Sequence, residues 1–148
     1  MGRLIDRWRF WRRRPATVWQ SRVERERSAI GRFSDEVQRR LQTEMPEKVV
    51  HDMLVALDEL MTNVVMHAEQ AAGPIEVELR YDMRAVEARI SYLAVEFDPT
   101  TWRAPAVGAT IAGSRIGGLG IKLVRTLLDE FRYEYIDGRN VLILVKRC

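Results

Sequence analysis

Three polar side chains at four-residue intervals, Glu59, Asn63 and His67, stand in an otherwise apolar stretch of the sequence. Residues four apart lie above one another on a helix, so a carboxylate, an amide and an imidazole would share one edge. A carboxylate can act as a general base, and a neutral amide oxygen is a suitable ligand for Mg²⁺. Phosphoryl transfer needs such groups, but a polar edge facing solvent is an equally simple interpretation of three such residues.

A second stretch with chemical potential is the glycine-rich run Gly117-Gly118-Leu119-Gly120-Ile121, which leads into an apolar periodicity typical of a helix. Glycines just before a helix let backbone N–H groups approach an anion at the positive end of that helix. The run therefore favours phosphate binding. Taken alone, it also fits a plain loop that enters a helix.

Together the two stretches resemble the GHKL ATPase superfamily, in particular the small bacterial anti-sigma-factor serine kinases. Glu59 to Asn63 matches the asparagine box of that family, and Gly117 to Gly120 matches its second glycine box. The resemblance continues from Gly117 to Lys146 and covers about residues 20–147, whereas residues 1–14 have no counterpart in it.

The resemblance implies a role for each matching residue. Glu59 would be the catalytic base toward a serine hydroxyl, and Asn63 would be the metal ligand that holds Mg²⁺. The residues implied to bind ATP are Asn63, His67, Asp98, Gly117, Gly118, Leu119, Gly120 and Ile121. A packing or helix-capping role for His67 stays open.

The first glycine box of these kinases is only partly present. Its later part survives as Phe97-Asp98-Pro99, but Tyr92 stands where the family has the aspartate that reads adenine, and Ala94 stands where it has a glycine. A site built on buried polar pairing loses much affinity when one partner is removed. The sequence therefore predicts weak ATP binding, unless the Tyr92 hydroxyl or a water takes over from the missing carboxylate.

Periodicity predicts the elements that would position these motifs. Helical spacing of apolar residues predicts three helices, at about 18–42, 47–69 and 118–129. Alternation of apolar and charged residues predicts four strands, near 75–81, 86–93, 131–136 and 141–146. Asp82-Met83-Arg84 and Asp137-Gly138 are the predicted hairpin turns.

This order of elements predicts an α+β protein, a two-layer α/β sandwich with helices on one face of a mixed, largely antiparallel sheet. The resemblance implies the histidine-kinase-like ATPase fold. We expect an N-terminal extension over residues 1–17 and one ATPase domain over residues 18–148. The long segment from Thr100 to Ile116 has glycines and prolines without apolar periodicity, which predicts a mobile lid or binding loop.

Charge is distributed unevenly along the 148 residues. The net charge is +3, yet residues 1–14 alone carry a net +5 from six arginines and one aspartate, which leaves −2 for the remainder. A nucleic-acid-binding body would carry clustered basic residues, so we expect no nucleic-acid partner. The aromatic residues among these arginines leave three interpretations open: contact with an anionic membrane, docking on this chain or a second copy, or a solvated tail.

Cysteine content and hydropathy predict a cytoplasmic location. Cys148 is the single cysteine, so no internal disulfide can form. The sequence has no apolar run of the roughly 18 residues that a membrane span requires.

Two functions follow from the resemblance and its departures. The first is an anti-sigma-factor-like regulator that phosphorylates or sequesters a bacterial regulatory protein, with a sigma factor or an anti-anti-sigma-type protein as partner and a homodimer as its expected state. The alternative is a degenerate protein-binding module of the same fold that no longer binds ATP. A membrane- or nucleic-acid-associated adaptor led by residues 1–14 is disfavoured by the acidic body.

Overall fold

The computed structural model of the chain describes residues 16–101 and 118–148. These residues form three helices and five strands. In chain order the elements are β1 (Thr17–Val23), α1 (Arg27–Leu41), α2 (Glu47–His67), β2 (Ala72–Tyr81), β3 (Ala85–Leu93), α3 (Gly118–Leu127), β4 (Glu130–Ile136) and β5 (Arg139–Arg147). Residues 1–14 and nearly all of the predicted lid lie outside the described residues.

Strand β1 is the main correction to the sequence prediction, which extended a helix over 18–42. Exposure alternates along this segment, with Trp19 and Val23 turned toward α1 and their neighbours facing solvent, so the chain is extended there. Helix α1 begins only at Arg27 and buries the expected apolar stripe of Ile30, Phe33, Val37 and Leu41. Val23 lies seven residues before Ile30, about two helical turns, so its spacing continues the helical stripe although the chain is extended there, and this coincidence explains the error.

The five strands form one sheet in the order β1-β2-β3-β5-β4. Each of the four described pairings is antiparallel, so the sheet is antiparallel rather than mixed. The predicted turn between β4 and β5 is confirmed: Asp137 and Gly138 have φ values of 52° and 76°, as a tight two-residue hairpin requires.

The core lies between the helices and one face of the sheet, which confirms the predicted two-layer α+β architecture. Side chains that are fully or nearly fully buried come from both layers, among them Met53, Leu57, Met61, Ile75, Leu79, Ile90 and Leu142. The other face of the sheet carries arginine and glutamate side chains that pair with one another, for example Arg80 with Glu78 at 3.1 Å. Those charges neutralise one another within the sheet.

A buried carboxylate connects α2 to the far end of α3. Asp52 is only 2% exposed, and its Oδ2 accepts from Lys48 Nζ at 2.7 Å and lies 3.2 Å from Lys146 Nζ. Lys146 on β5 also donates to the carbonyl of Leu127, the last residue of α3, at 2.7 Å. Burial alone would raise the pKa of Asp52, but the hydrogen bonds from Lys48, Lys146 and His51 outweigh it, and the pKa lies below its usual value.

Candidate functional site

The polar edge of α2 borders the start of α3, which carries the second glycine box. Glu59, Asn63 and His67 are half-buried, on a helix whose Leu57, Leu60 and Val64 enter the core. Their four-residue spacing keeps all three on one edge, while the apolar residues fix the rotation of the helix against the sheet.

Glu59 packs directly against Gly120 in the first described turn of α3. A Cβ at Gly120 would lie 3.1 Å from the Glu59 Cδ and 3.7 Å from its Cγ, in addition to a closer clash with the carboxylate oxygen. A larger residue at this position would push the end of the Glu59 side chain aside. The asparagine-box helix and the second glycine box, which the sequence placed far apart, are therefore adjacent in space.

The remaining residues of the glycine box are placed less uniformly. Ile121 is fully buried and packs into the core. Gly118 and Leu119 belong to the start of α3, and Gly117 lies outside the described residues. Gly120 is therefore the glycine-box residue whose backbone lies next to the Glu59 carboxylate.

A cavity of about 310 Å³ opens beside Asn63. Helix α2, the end of β3 with the segment after it, and β5 line it with Leu60, Asn63, Val64, His67, Ala68, Glu69, Tyr92, Val95, Glu96, Phe97, Pro99 and Leu142. The volume is at the lower end of what small-molecule sites occupy. The buried Nδ2 of Asn63 has no hydrogen-bond partner among the described residues, which leaves a donor to be satisfied by a ligand or by water.

Tyr92 forms part of the cavity wall, as its position in the sequence suggested. Tyr92 is 5% exposed and lines the cavity, whereas Ala94 is buried behind the wall and does not line it. Burial raises the pKa of Tyr92, and the neighbouring Tyr133 raises it further. The hydroxyl is consequently neutral at physiological pH and cannot supply the negative charge of a carboxylate.

Asp98 is engaged in a local turn. Its Oδ1 accepts from the Thr100 backbone N–H at 2.8 Å and from the Thr100 Oγ1 at 2.6 Å, and Asp98 is not among the residues that line the cavity. Arg125 on α3 donates to the carbonyl of Pro99 at 2.8 Å. These contacts hold the beginning of the predicted lid against α3.

Sequence reasoning missed the residues that support the cavity wall. Asn140 on β5 is fully buried and binds Val95, Phe97 and Tyr133 by its side chain. Burial raises the pKa of Tyr133 to about 12, so its hydroxyl remains a donor at physiological pH. The available signal was a single asparagine in an otherwise apolar strand, since buried amides require partners.

The residues present fit the phosphate end of a nucleotide better than the base end. Gly120 offers a close backbone approach, Asn63 has an unsatisfied amide group, and Glu59 lies beside both. Within residues 16–101 and 118–148 no group of three or more His, Cys, Asp or Glu side chains could hold a metal ion by itself. Any Mg²⁺ would therefore depend on Asn63 together with phosphate oxygens.

Comparisons with known proteins show the family and the fold of the chain. A family model described as the histidine kinase-like ATPase domain matches residues 20–146. The serine-protein kinase RsbW of Listeria innocua is 33% identical over 103 residues, 65% of each chain, and the serine/threonine-protein kinase BtrW of Bordetella bronchiseptica is 30% identical over 94 residues, 62% of this chain and 66% of that one. The matched region thus spans slightly less than two thirds of these relatives.

A solved structure with the same fold contains the RsbU and RsbW domains of Rv1364c from Mycobacterium tuberculosis. It superposes with a TM-score of 0.63 at 16% identity, over 91% of this chain and 33% of that one. Among the described residues, no helix is both long and apolar enough to cross a membrane.

Proposed function

Because the chain belongs to the family of histidine kinase-like ATPase domains, we propose that it is an anti-sigma-factor-like regulator that phosphorylates or sequesters a bacterial regulatory protein. The observation that carries this proposal is the contact between Glu59 and Gly120 beside Asn63, which unites the two motifs at one site. The kinases RsbW and BtrW, to which the chain is similar, support the same class of function.

In this proposal each residue has a defined task. Glu59 accepts the proton of the acceptor hydroxyl, and Asn63 binds Mg²⁺ through its amide oxygen. The backbone N–H groups of the glycine box, Gly117, Gly118, Leu119, Gly120 and Ile121, would hold the phosphates, and His67 lines the cavity at the end of α2. Bound MgATP would supply the phosphoryl group and neutralise its charge.

The partner is proposed to be a sigma factor or an anti-anti-sigma-type protein in the cytoplasm, bound by a homodimer. This assignment rests on the similarity to anti-sigma kinases, whose chains are matched over about two thirds of their length. Copurification with a candidate partner, followed by radiolabelled phosphoryl transfer, separates sequestration from phosphorylation. Glu59→Gln should abolish transfer while partner binding persists.

A second function, a protein-binding module that no longer uses ATP, is favoured by Tyr92. Its ring is buried in the cavity and its hydroxyl is neutral, so a carboxylate's hydrogen bond and charge are both missing. A buried hydrogen bond to a charged group is worth about 1.5–3 kcal/mol. At tenfold per about 1.4 kcal/mol, ATP affinity should be at least about tenfold below that of an intact site.

Calorimetric titration with MgATP tests both functions. The double substitution Tyr92→Asp with Ala94→Gly should raise the affinity for ATP and the preference for ATP over GTP, and adding Asn63→Ala should remove the gain. Thermal unfolding of each variant verifies that it is folded. A wild-type chain that binds ATP at micromolar concentrations, prefers it to GTP and is indifferent to substitution of Tyr92 would rule out the degenerate module.

A further inference from the structure

The segment from Val95 to Phe97 forms one wall of the cavity, and hydrogen bonds hold it and the preceding Ala94 on both sides. The N–H of Ala94 donates to the Gly138 carbonyl at 3.4 Å, and the N–H of Val95 donates to the Glu69 carbonyl at 2.9 Å. The hydroxyl of Tyr135 donates to the carbonyl of Ala94 at 3.1 Å. The wall is thus attached to the β4–β5 hairpin on one side and to the end of α2 on the other.

Asn140 makes the side-chain contacts that fix the rest of this wall. Its Nδ2 donates to the Val95 carbonyl at 3.1 Å, and its Oδ1 accepts from the Phe97 N–H at 2.9 Å. The same Oδ1 accepts from the Tyr133 hydroxyl at 2.6 Å, which sets the orientation of the amide. Asn140 itself is not among the residues that line the cavity.

We propose that Asn140 is a positioning residue for this site, which holds the Val95–Phe97 wall in its binding geometry before any ligand is present. A fully buried amide has no water to replace a lost partner, so its three hydrogen bonds favour a single arrangement of the wall. Asn140 stabilises that arrangement by its hydrogen bonds to the backbone of Val95 and Phe97. The residue before this wall is Ala94, which stands where the family has a glycine.

This role predicts an effect on affinity as well as on stability. If the wall adopts its binding geometry only part of the time, the observed affinity falls by that fraction. Removing the Asn140 side chain frees both a carbonyl and an N–H of the wall, so other conformations become accessible. The inference rests on the proposed function only in that the ligand used to measure it is a nucleotide.

The test compares Asn140→Ala with Ile143→Ala. Ile143 is also buried and lies three residues further along β5. Because side chains alternate along a strand, it points to the opposite face of the sheet, away from the cavity. Calorimetry with MgATP and MgADP, at a temperature where both variants are folded, should show about a tenfold loss for Asn140→Ala, as expected if the wall is formed about a tenth of the time. Ile143→Ala should remain within about twofold of wild type. Equal losses in the two variants would overturn the proposal.

Amide exchange measured by NMR provides a readout that needs no nucleotide. In Asn140→Ala the Phe97 N–H should exchange at least about tenfold faster than in Ile143→Ala, because it loses its acceptor. Unchanged protection of Phe97 would overturn the proposal even if affinity fell. A wild-type chain that binds no nucleotide but shows the accelerated exchange would instead count against the proposed use of ATP and uphold the positioning role.

Discussion

At the scale of single residues, the Glu59 carboxylate occupies the space that a side chain at Gly120 would need. Gly31, in the middle of α1, is the opposite case, since nothing lies within 4 Å of the position where its Cβ would be. The surroundings of the two glycines therefore differ, and substituting each by alanine should have different effects on stability.

Gly120→Ala should lose the gain of about 0.5–1 kcal/mol that alanine normally brings to a helix, because the added methyl group displaces the end of the Glu59 side chain. The loss should be smaller in a Glu59→Ala background, where the obstacle is gone. Urea denaturation of the two single variants and the double variant measures the coupling. Gly31→Ala is the control and should stabilise the chain by about 0.5–1 kcal/mol. Additive effects at positions 59 and 120 would contradict the contact.

The sequence predicted the placement of individual residues well where that placement depends on local spacing. Glu59 and Asn63 stand out because both lie on one helix at a recognisable spacing. Asn140 did not, because its partners Val95 and Phe97 are more than forty residues earlier in the chain. Hydrogen bonds across such distances depend on strand pairing, which periodicity does not reveal.

At the scale of elements, β1 pairs with β2 and also packs on α1 through an aromatic contact. Trp19 stacks on Phe33 with ring centroids 5.8 Å apart, and the guanidinium of Arg40 lies 4.4 Å from the centre of the Trp19 ring. Substitution Trp19→Ala should cost about 2–3 kcal/mol, somewhat below the cost at a fully buried site. Chemical denaturation measures this, and Val18→Ala, which removes an exposed side chain of the same strand, is the control. Equal losses of stability in Trp19→Ala and Val18→Ala would contradict the packing of β1 on α1.

Helices α2 and α3 depend on Asp52, and this dependence should be visible as a function of pH. Because the pKa of Asp52 is lower in the folded chain than in the unfolded chain, its ionised form stabilises the fold above about pH 4. That stabilisation is lost as the pH falls through the folded-state pKa. Asp52→Asn should therefore lose less stability than wild type between about pH 5 and pH 2. Parallel pH profiles from thermal unfolding would contradict this assignment.

At the scale of the whole molecule, the arginine-rich residues 1–14 precede β1, the first strand among the described residues. If these residues form a solvated tail, deleting them should leave cooperative unfolding intact and change the melting temperature by no more than about 2 °C, which corresponds to less than about 0.5 kcal/mol. Circular dichroism on heating measures this. A large drop would show that the segment docks on the body, as one of the three interpretations of residues 1–14 holds.

Overall architecture was predictable because the helices and hairpins have strong local patterns. Helix α2 and the turn at Asp137-Gly138 were predicted nearly to the residue. Strand β1 was missed because seven residues with few apolar positions carry little periodicity, and its place at the sheet edge depends on pairing with β2. The cavity could not be inferred in detail, since its wall is assembled from three separate parts of the chain.

The pairing of α2 with α3 also restricts which changes in chain length the fold can accept. Asp52 is connected through Lys146 to Leu127, and Glu59 contacts Gly120, so the helices run in opposite directions and meet at two points. Seven residues separate the two points on each helix. One inserted or deleted residue in either interval would rotate one contact by about 100° relative to the other. Single-residue insertions in either segment should therefore be disfavoured, and a second insertion in the other helix would not restore the lost contact.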